Sequence, residues 1–169
     1  MSTSKNISRK EKTVRKAIYP GCFDPFTIGH EDITRKAMQV FDEVIILIAD
    51  NASKKSTFTT EQRIRLIREV FKHDKKVKVA VFSGLTASYC INSKVTHIVR
   101  GVRNANDFLY ERDLALLNYD LAGVETVFFN SSDKNTHVSS TILRELLRLA
   151  PEKAQLYAPT NINYKEFFC

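Results

Sequence analysis

Two hydrophobic rhythms alternate along this chain. Residues 43–49 carry the unbroken apolar run Val-Ile-Ile-Leu-Ile-Ala, as expected of a strand covered on both faces. Residues 31–41 instead place Ile33, Ala37, Val40 and Phe41 at helical spacing. Further short apolar runs predict strands at 16–20, 77–82, 96–100 and 125–129. Helical spacing predicts helices at 59–71, 87–92, 106–121 and 139–149, with a short packing helix at 164–168. Thr59 and Gln62 have the spacing of a capping box, and the helix they open carries Ile64, Ile67 and Phe71 on one face. Pro151 is placed to help end the helix before it. Residues 50–58 are polar and include Lys54 and Lys55, so they read as a loop.

Strand and helix therefore alternate throughout. Crossovers of this length make the strands parallel, and right-handed crossovers give a doubly wound sheet. The expected architecture is a single α/β domain, a five-stranded parallel sheet with helices on both faces. Ligands of such sheets bind beyond the carboxyl ends of the strands, where the strand order reverses.

Composition changes this picture little. The chain has 169 residues, 43% hydrophobic and 27% charged, which suits one globular core. No apolar run approaches the roughly 20 residues that span a bilayer, and the first sixteen residues lack the apolar centre of a secretory signal. Of the net charge of +7, +5 falls in residues 1–16, where Lys5, Arg9, Lys10, Lys12, Arg15 and Lys16 face one acid, Glu11. Residues 1–16 are accordingly expected to be a flexible basic tail, and 17–169 the folded domain. Neither nucleic acid nor membrane is an expected partner, since little charge remains outside the tail and no aromatic–basic interleaving is present. Cys22, Cys90 and Cys169 are odd in number, widely spaced and outside any metal-binding pattern. They point to a reducing compartment and a cytoplasmic protein.

Four groups of residues carry candidate chemistry. The segment from Tyr19 to His30 reads Tyr-Pro-Gly-Cys-Phe-Asp-Pro-Phe-Thr-Ile-Gly-His and joins the first strand to the first helix. A helix start there offers free N–H groups to phosphate, and His30 can donate to a phosphate oxygen that gains charge. It is neither a Walker A motif nor G-x-G-x-x-G. Arg100-Gly101-Val102-Arg103, followed by Asp107, Tyr110 and Glu111, lies at a later strand end, where arginines can clamp phosphates. The segment Thr136-His137-Val138-Ser139-Ser140-Thr141-Ile142 opens a helix. It reads equally as a phosphate site or as an ordinary N-cap. Lys54 alone reads as a solvated lysine. Composition and spacing thus stop at an α/β enzyme for a phosphate-bearing ligand.

Together these residues resemble the bacterial phosphopantetheine adenylyltransferases, nucleotidyltransferases of the H-x-G-H superfamily. Thr27-Ile28-Gly29-His30 matches the T-x-G-H form of the motif. Val138-Ser139-Ser140-Thr141 with Arg144 is similar to I-S-S-T-x-x-R. Arg100 to Arg103 and Asp107-Phe108-Leu109-Tyr110-Glu111 match R-G-x-R and D-F-x-Y-E. The resemblance covers roughly residues 17–159. It implies a Rossmann-like fold, a homohexamer, and a reversible reaction in which ATP, with Mg²⁺, and 4′-phosphopantetheine give dephospho-coenzyme A and pyrophosphate. It implies no metal ligand from the chain itself. It gives His30 the role of stabilising the transition state at the α-phosphate. Cys22, Phe23, His30, Gly101, Val102, Arg103, Glu111 and Thr136, His137, Val138, Ser139, Ser140, Thr141 and Ile142 are implied to bind ATP. Cys22, Lys54, Thr86 and Arg100 are implied to bind phosphopantetheine.

Cys22 departs from the family, which has Thr or Ser there; a thiol is larger and a weaker donor. It reads either as a reactive thiol or as an inert, buried one. The rival readings are another H-x-G-H enzyme, such as a nicotinate-nucleotide adenylyltransferase or a cytidylyltransferase, and a non-catalytic nucleotide-binding module.

Overall fold

The computed structural model describes residues 14–49 and 56–168. The expectations for residues 1–13 and for Lys54 lie outside these residues. Five strands, β1 (Lys16–Gly21), β2 (Glu43–Ala49), β3 (Val77–Phe82), β4 (His97–Val102) and β5 (Glu125–Asn130), form one sheet in the order β3-β2-β1-β4-β5. Every neighbouring pair is parallel. From β1 the chain winds outward through β2 to β3, then crosses back to β4 and β5, so the order reverses between β1 and β4. The doubly wound α/β sheet read from the sequence is the fold observed.

The helices α1 (Ile28–Val40), α2 (Thr60–Val70), α3 (Thr86–Ser93), α4 (Ala105–Ala122) and α5 (Ser140–Leu149) fill the crossovers and the space after β5. Alternate residues of the strands feed two cores. One holds Tyr19, Ile46, Ile48 and Val99 with Ile33 of α1, Leu66 and Ile67 of α2 and Leu143 of α5. The other holds Ile18, Ile45, Leu47 and Ile98 with Cys90 of α3. Each fully buried Leu or Ile contributes about 1.5–3 kcal/mol, and β2 alone supplies Ile46, Leu47 and Ile48.

Several element ends differ from the sequence reading. Helix α1 starts at Ile28 because Thr27 caps it. The Thr27 side chain accepts from the His30 N–H, and the Thr27 N–H donates to His30 Nδ1. The expected box of Thr59 and Gln62 opens α2. Strand β4 continues through Gly101, where Ile33 of α1 packs close. Pro151 begins a further short helix, α6 (Pro151–Ala154), where its fixed φ and missing N–H suit the first turn. Two 3₁₀ turns, Asp133–Asn135 and Gln155–Tyr157, complete the connections, and α7 (Lys165–Phe168) follows them. Lys16, where the expected tail and the expected strand 16–20 overlap, belongs to β1. Arg15 beside it donates its backbone N–H and its guanidinium to Asp42.

The segment after α5 straps the domain from outside. The Tyr164 hydroxyl donates to the Phe26 carbonyl at 2.6 Å. The Thr160 N–H donates to the buried carboxylate of Glu31 at 2.7 Å. Arg65 of α2 donates to the Glu166 carbonyl at 2.6 Å and lies over the Phe167 ring.

A Cβ added at Gly101 would stand 2.8 Å from Ile33 Cγ1. Gly101→Ala therefore forces β4 and α1 apart, and denaturant unfolding is expected to show a loss of about 1–3 kcal/mol.

Candidate active site

The loops after β1 and β4 part at the reversal point and leave a cleft of about 310 Å³. Its walls are Tyr19 to Phe23, the first turn of α1, the Arg100–Arg103 stretch, Asp107, Tyr110 and Glu111 of α4, and Val138, Ser139 and Ser140 before and within α5.

The β1–α1 loop is pinned from several directions. Phe23 takes a left-handed backbone, φ 49°, uncommon outside glycine. Its buried ring folds back over Gly21, where a Cβ would lie 2.8 Å from Phe23 Cζ. Arg63 of α2, only 1% exposed, donates to the Cys22 carbonyl at 2.8 Å. Arg144 of α5 donates to the Asp24 carbonyl at 2.6 Å, and the Ser140 hydroxyl donates to the Pro25 carbonyl at 2.8 Å. The Asp24 carboxylate accepts from the Thr57 and Phe58 N–H groups at 2.8 and 2.9 Å.

His30 sits in this frame with its ring centroid 5.1 Å from that of Phe23, 5.3 Å from that of Phe26 and 6.3 Å from that of Tyr19. Burial, reinforced by the charges of Arg103 and Arg100, lowers its pKa to about 4. The imidazole is therefore neutral at physiological pH. Because Nδ1 accepts the Thr27 N–H at 3.0 Å, the proton resides on Nε2. His30 thus offers one fixed N–H donor.

Across the cleft, Arg100 grips the Glu111 carboxylate through Nε and Nη2 and donates Nη1 to the Pro20 carbonyl at 2.8 Å. Arg103 grips Asp107 at 2.6 and 3.2 Å. The carboxylates hold both guanidiniums at the cleft and leave further N–H groups on each for an anion. On α1, burial pushes the Asp32 carboxyl up, but the Ser132 N–H, the Lys36 ammonium and the Ser132 hydroxyl outweigh it and hold the carboxyl below its usual range. That cluster ties α1 to the chain beyond β5.

The structure brings Cys22, Phe23, His30, Arg100, Gly101, Arg103, Glu111, Val138, Ser139 and Ser140 to one cleft. Val102 and Thr136 line an adjoining hollow of about 440 Å³. Thr86, at the start of α3, lines another of about 200 Å³, shared with Pro20, Arg100 and Glu111. His137 packs edge-on against Tyr157, and Thr141 accepts from Arg144. Ile142 is exposed, and its N–H is capped by the Ser139 hydroxyl. The N-cap reading of Ser139 is thus realised beside the cleft. Cys22 is exposed, so its buried reading fails, whereas Cys90 is buried and its thiol is pushed up to about 11 by that burial. The sequence reading passed over Arg63, whose partners in the loop are visible only in three dimensions, and passed over Asn135 and Ser131, which line the cleft; Tyr19, which also lines it, stood in the candidate segment without a role of its own.

A neutral N–H donor, two arginines and two helix starts suit a polyphosphate whose charge moves during reaction. Among the described residues no three His, Cys, Asp or Glu side chains converge to hold a metal ion. The cleft carboxylates Asp107 and Glu111 are engaged by arginines.

A doubly wound sheet with this cleft at its reversal point is an architecture that nucleotidyltransferases share with other nucleotide-binding folds. The cytidylyltransferase-like family profile matches residues 18–146. Among solved structures, the nicotinic acid mononucleotide adenylyltransferase of Plasmodium falciparum shares the fold at 14% identity, with a TM-score of 0.59 over 86% of this chain and 90% of that one. The phosphopantetheine adenylyltransferase of Flavobacterium johnsoniae is 43% identical over 85% of this chain and 94% of its own length. That of Leptospira biflexa is 44% identical over 78% and 83%. The chain belongs to the phosphopantetheine adenylyltransferase family.

The His30 value of about 4 lies below the 6.5 of an unfolded histidine. Between these values the unfolded chain takes up a proton that the folded chain refuses. The stability associated with neutral His30 is complete above pH about 6.5 and is lost as pH falls toward 4. His30→Gln keeps a capping acceptor without titrating. Unfolding measured across this window is expected to show a steeper loss for the wild type than for the variant.

Proposed function

We propose that the chain transfers the adenylyl group of ATP to 4′-phosphopantetheine, giving dephospho-coenzyme A and pyrophosphate, reversibly, in coenzyme A biosynthesis. The observation that carries this reading is the His30 Nε2–H, fixed by Thr27 and facing the same cleft as Arg100 and Arg103. A phosphate oxygen of phosphopantetheine attacks the α-phosphorus of ATP. The new P–O bond forms as the bond to the β-phosphate oxygen breaks, and its electron pair leaves with pyrophosphate. The nucleophile is already an anion, so no general base is needed. Catalysis rests on in-line positioning and charge stabilisation.

His30 donates to the α-phosphate oxygen as its charge grows. Phe23, Gly101, Val102, Arg103, Glu111 and the 136–142 segment hold ATP, which enters as its Mg²⁺ complex. Arg100, Thr86 and Lys54 hold phosphopantetheine, and the hollow at Thr86 receives its pantetheine arm. At Cys22 the backbone keeps its place through Arg63, so the contact that the thiol weakens is the side-chain one.

Purified protein with ATP, Mg²⁺ and phosphopantetheine is expected to release pyrophosphate. Release should require phosphopantetheine and fall about 10²–10³-fold in His30→Ala. ATP binding without release would favour the non-catalytic reading.

We place the working enzyme in the cytoplasm as a homohexamer. No helix among the described residues is long and apolar enough to cross a membrane. Helix α4 buries none of its 18 residues within the protomer, and Leu109, Leu116, Tyr119 and Leu121 are exposed on it. Such a surface suits contact between copies. Sedimentation equilibrium is expected to give six times the 19.3 kDa chain mass, and Leu116→Asp is expected to lower that number.

A further inference from the structure

We propose that Tyr19 is a further ligand-binding residue of the cleft, its phenolic O–H donating a hydrogen bond to a phosphate oxygen of the bound substrate. The inference rests on reading the cleft as a phosphate site. Tyr19 lies near the carboxyl end of β1, two residues before the loop that leads to His30. It is only 6% exposed, yet it lines the cleft. Its ring is set by an edge contact with Phe23, centroids 5.3 Å apart. Its hydroxyl donates to none of the described residues and accepts from none.

The ring is buried, but the hydroxyl oxygen is not among the buried side-chain atoms left without a partner, so it opens onto the cleft. Tyr164, buried to a similar degree, gives its hydroxyl to the Phe26 carbonyl. The two nearby carboxylates do not serve Tyr19. Asp32 is taken by Lys36 and Ser132, and Glu111 by Arg100. What the hydroxyl meets is the cleft, within the field of Arg100 and Arg103 that draws an anion in. Burial, only partly opposed by Arg100, pushes ionisation of the phenol well above the ordinary tyrosine range. The group is therefore a donor throughout the physiological range, and an anionic oxygen is its natural acceptor. Tyr19 and His30 then form a pair of neutral donors facing two cations.

Tyr19→Phe removes the hydroxyl and leaves the ring. Inorganic pyrophosphate binding is read by titration calorimetry, beside thermal unfolding and adenylyl transfer. The expected result is a loss of pyrophosphate affinity of about tenfold, a fall in kcat/KM at least as large, and an unfolding midpoint no lower than that of the wild type. Unchanged affinity and kinetics would overturn the inference, the hydroxyl then meeting only water. A wild type that binds pyrophosphate but adenylylates no phosphopantetheine would refute the proposed reaction alone, and the variant's loss of affinity would still support the role of Tyr19. A wild type that binds no pyrophosphate would overturn both.

Discussion

Between the last residue of β1 and the first turn of α1, the backbone belongs to neither a ladder nor a helix. Its carbonyls need partners, because buried polar groups left alone are costly. The structure answers with side chains from distant elements. Arg63 takes the Cys22 carbonyl, Arg144 that of Asp24, Ser140 that of Pro25 and Tyr164 that of Phe26. Each net bond contributes about 1 kcal/mol or somewhat more where a guanidinium donates. Their larger effect is geometric, since four anchors on so short a stretch leave it one path. Helix α2, helix α5 and the C-terminal segment are thereby all committed to a single loop.

That path decides the chemistry of His30. The loop delivers Thr27 as an N-cap, Thr27 fixes the imidazole tautomer, and Phe23 and Phe26 flank the ring. The arginines opposite discourage a second proton. The outcome is a neutral, oriented donor in a cationic cleft. Such a donor can strengthen its bond as negative charge accumulates, whereas a fixed cation binds the ground state almost as well.

The fold was largely legible because its strands are apolar runs and its crossovers have ordinary length. The misreadings are local. Helix α6 has four residues, too few for any periodicity, so the helix that Pro151 begins went unread, although α5 does end at Leu149 just before it. The Pro-rich stretch before His30 hid the cap at Thr27, since its acceptor on the third helical residue is a histidine and not the usual Glu or Gln. Motifs located the cleft because strand ends gather there whatever their sequence separation. The anchors were not legible. Arg63 and Cys22 are 41 positions apart, Tyr164 and Phe26 are 138 apart, and a lone Arg or Tyr in an amphipathic stretch carries no mark of its partner. The pairing of Arg100 with Glu111 and of Arg103 with Asp107 was likewise invisible, although all four residues were already candidates.

The strap at Tyr164 gives the molecule a temporal order. A nascent chain that has emerged from the ribosome through α5 already holds every strand, His30 and both cleft arginines. It still lacks the hydroxyl that secures Phe26 and the N–H that occupies Glu31. Those two contacts are supplied by residues 160–164, beyond every strand and both cleft arginines in the sequence. A chain shortened before Thr160 would retain all five strands and lose both contacts.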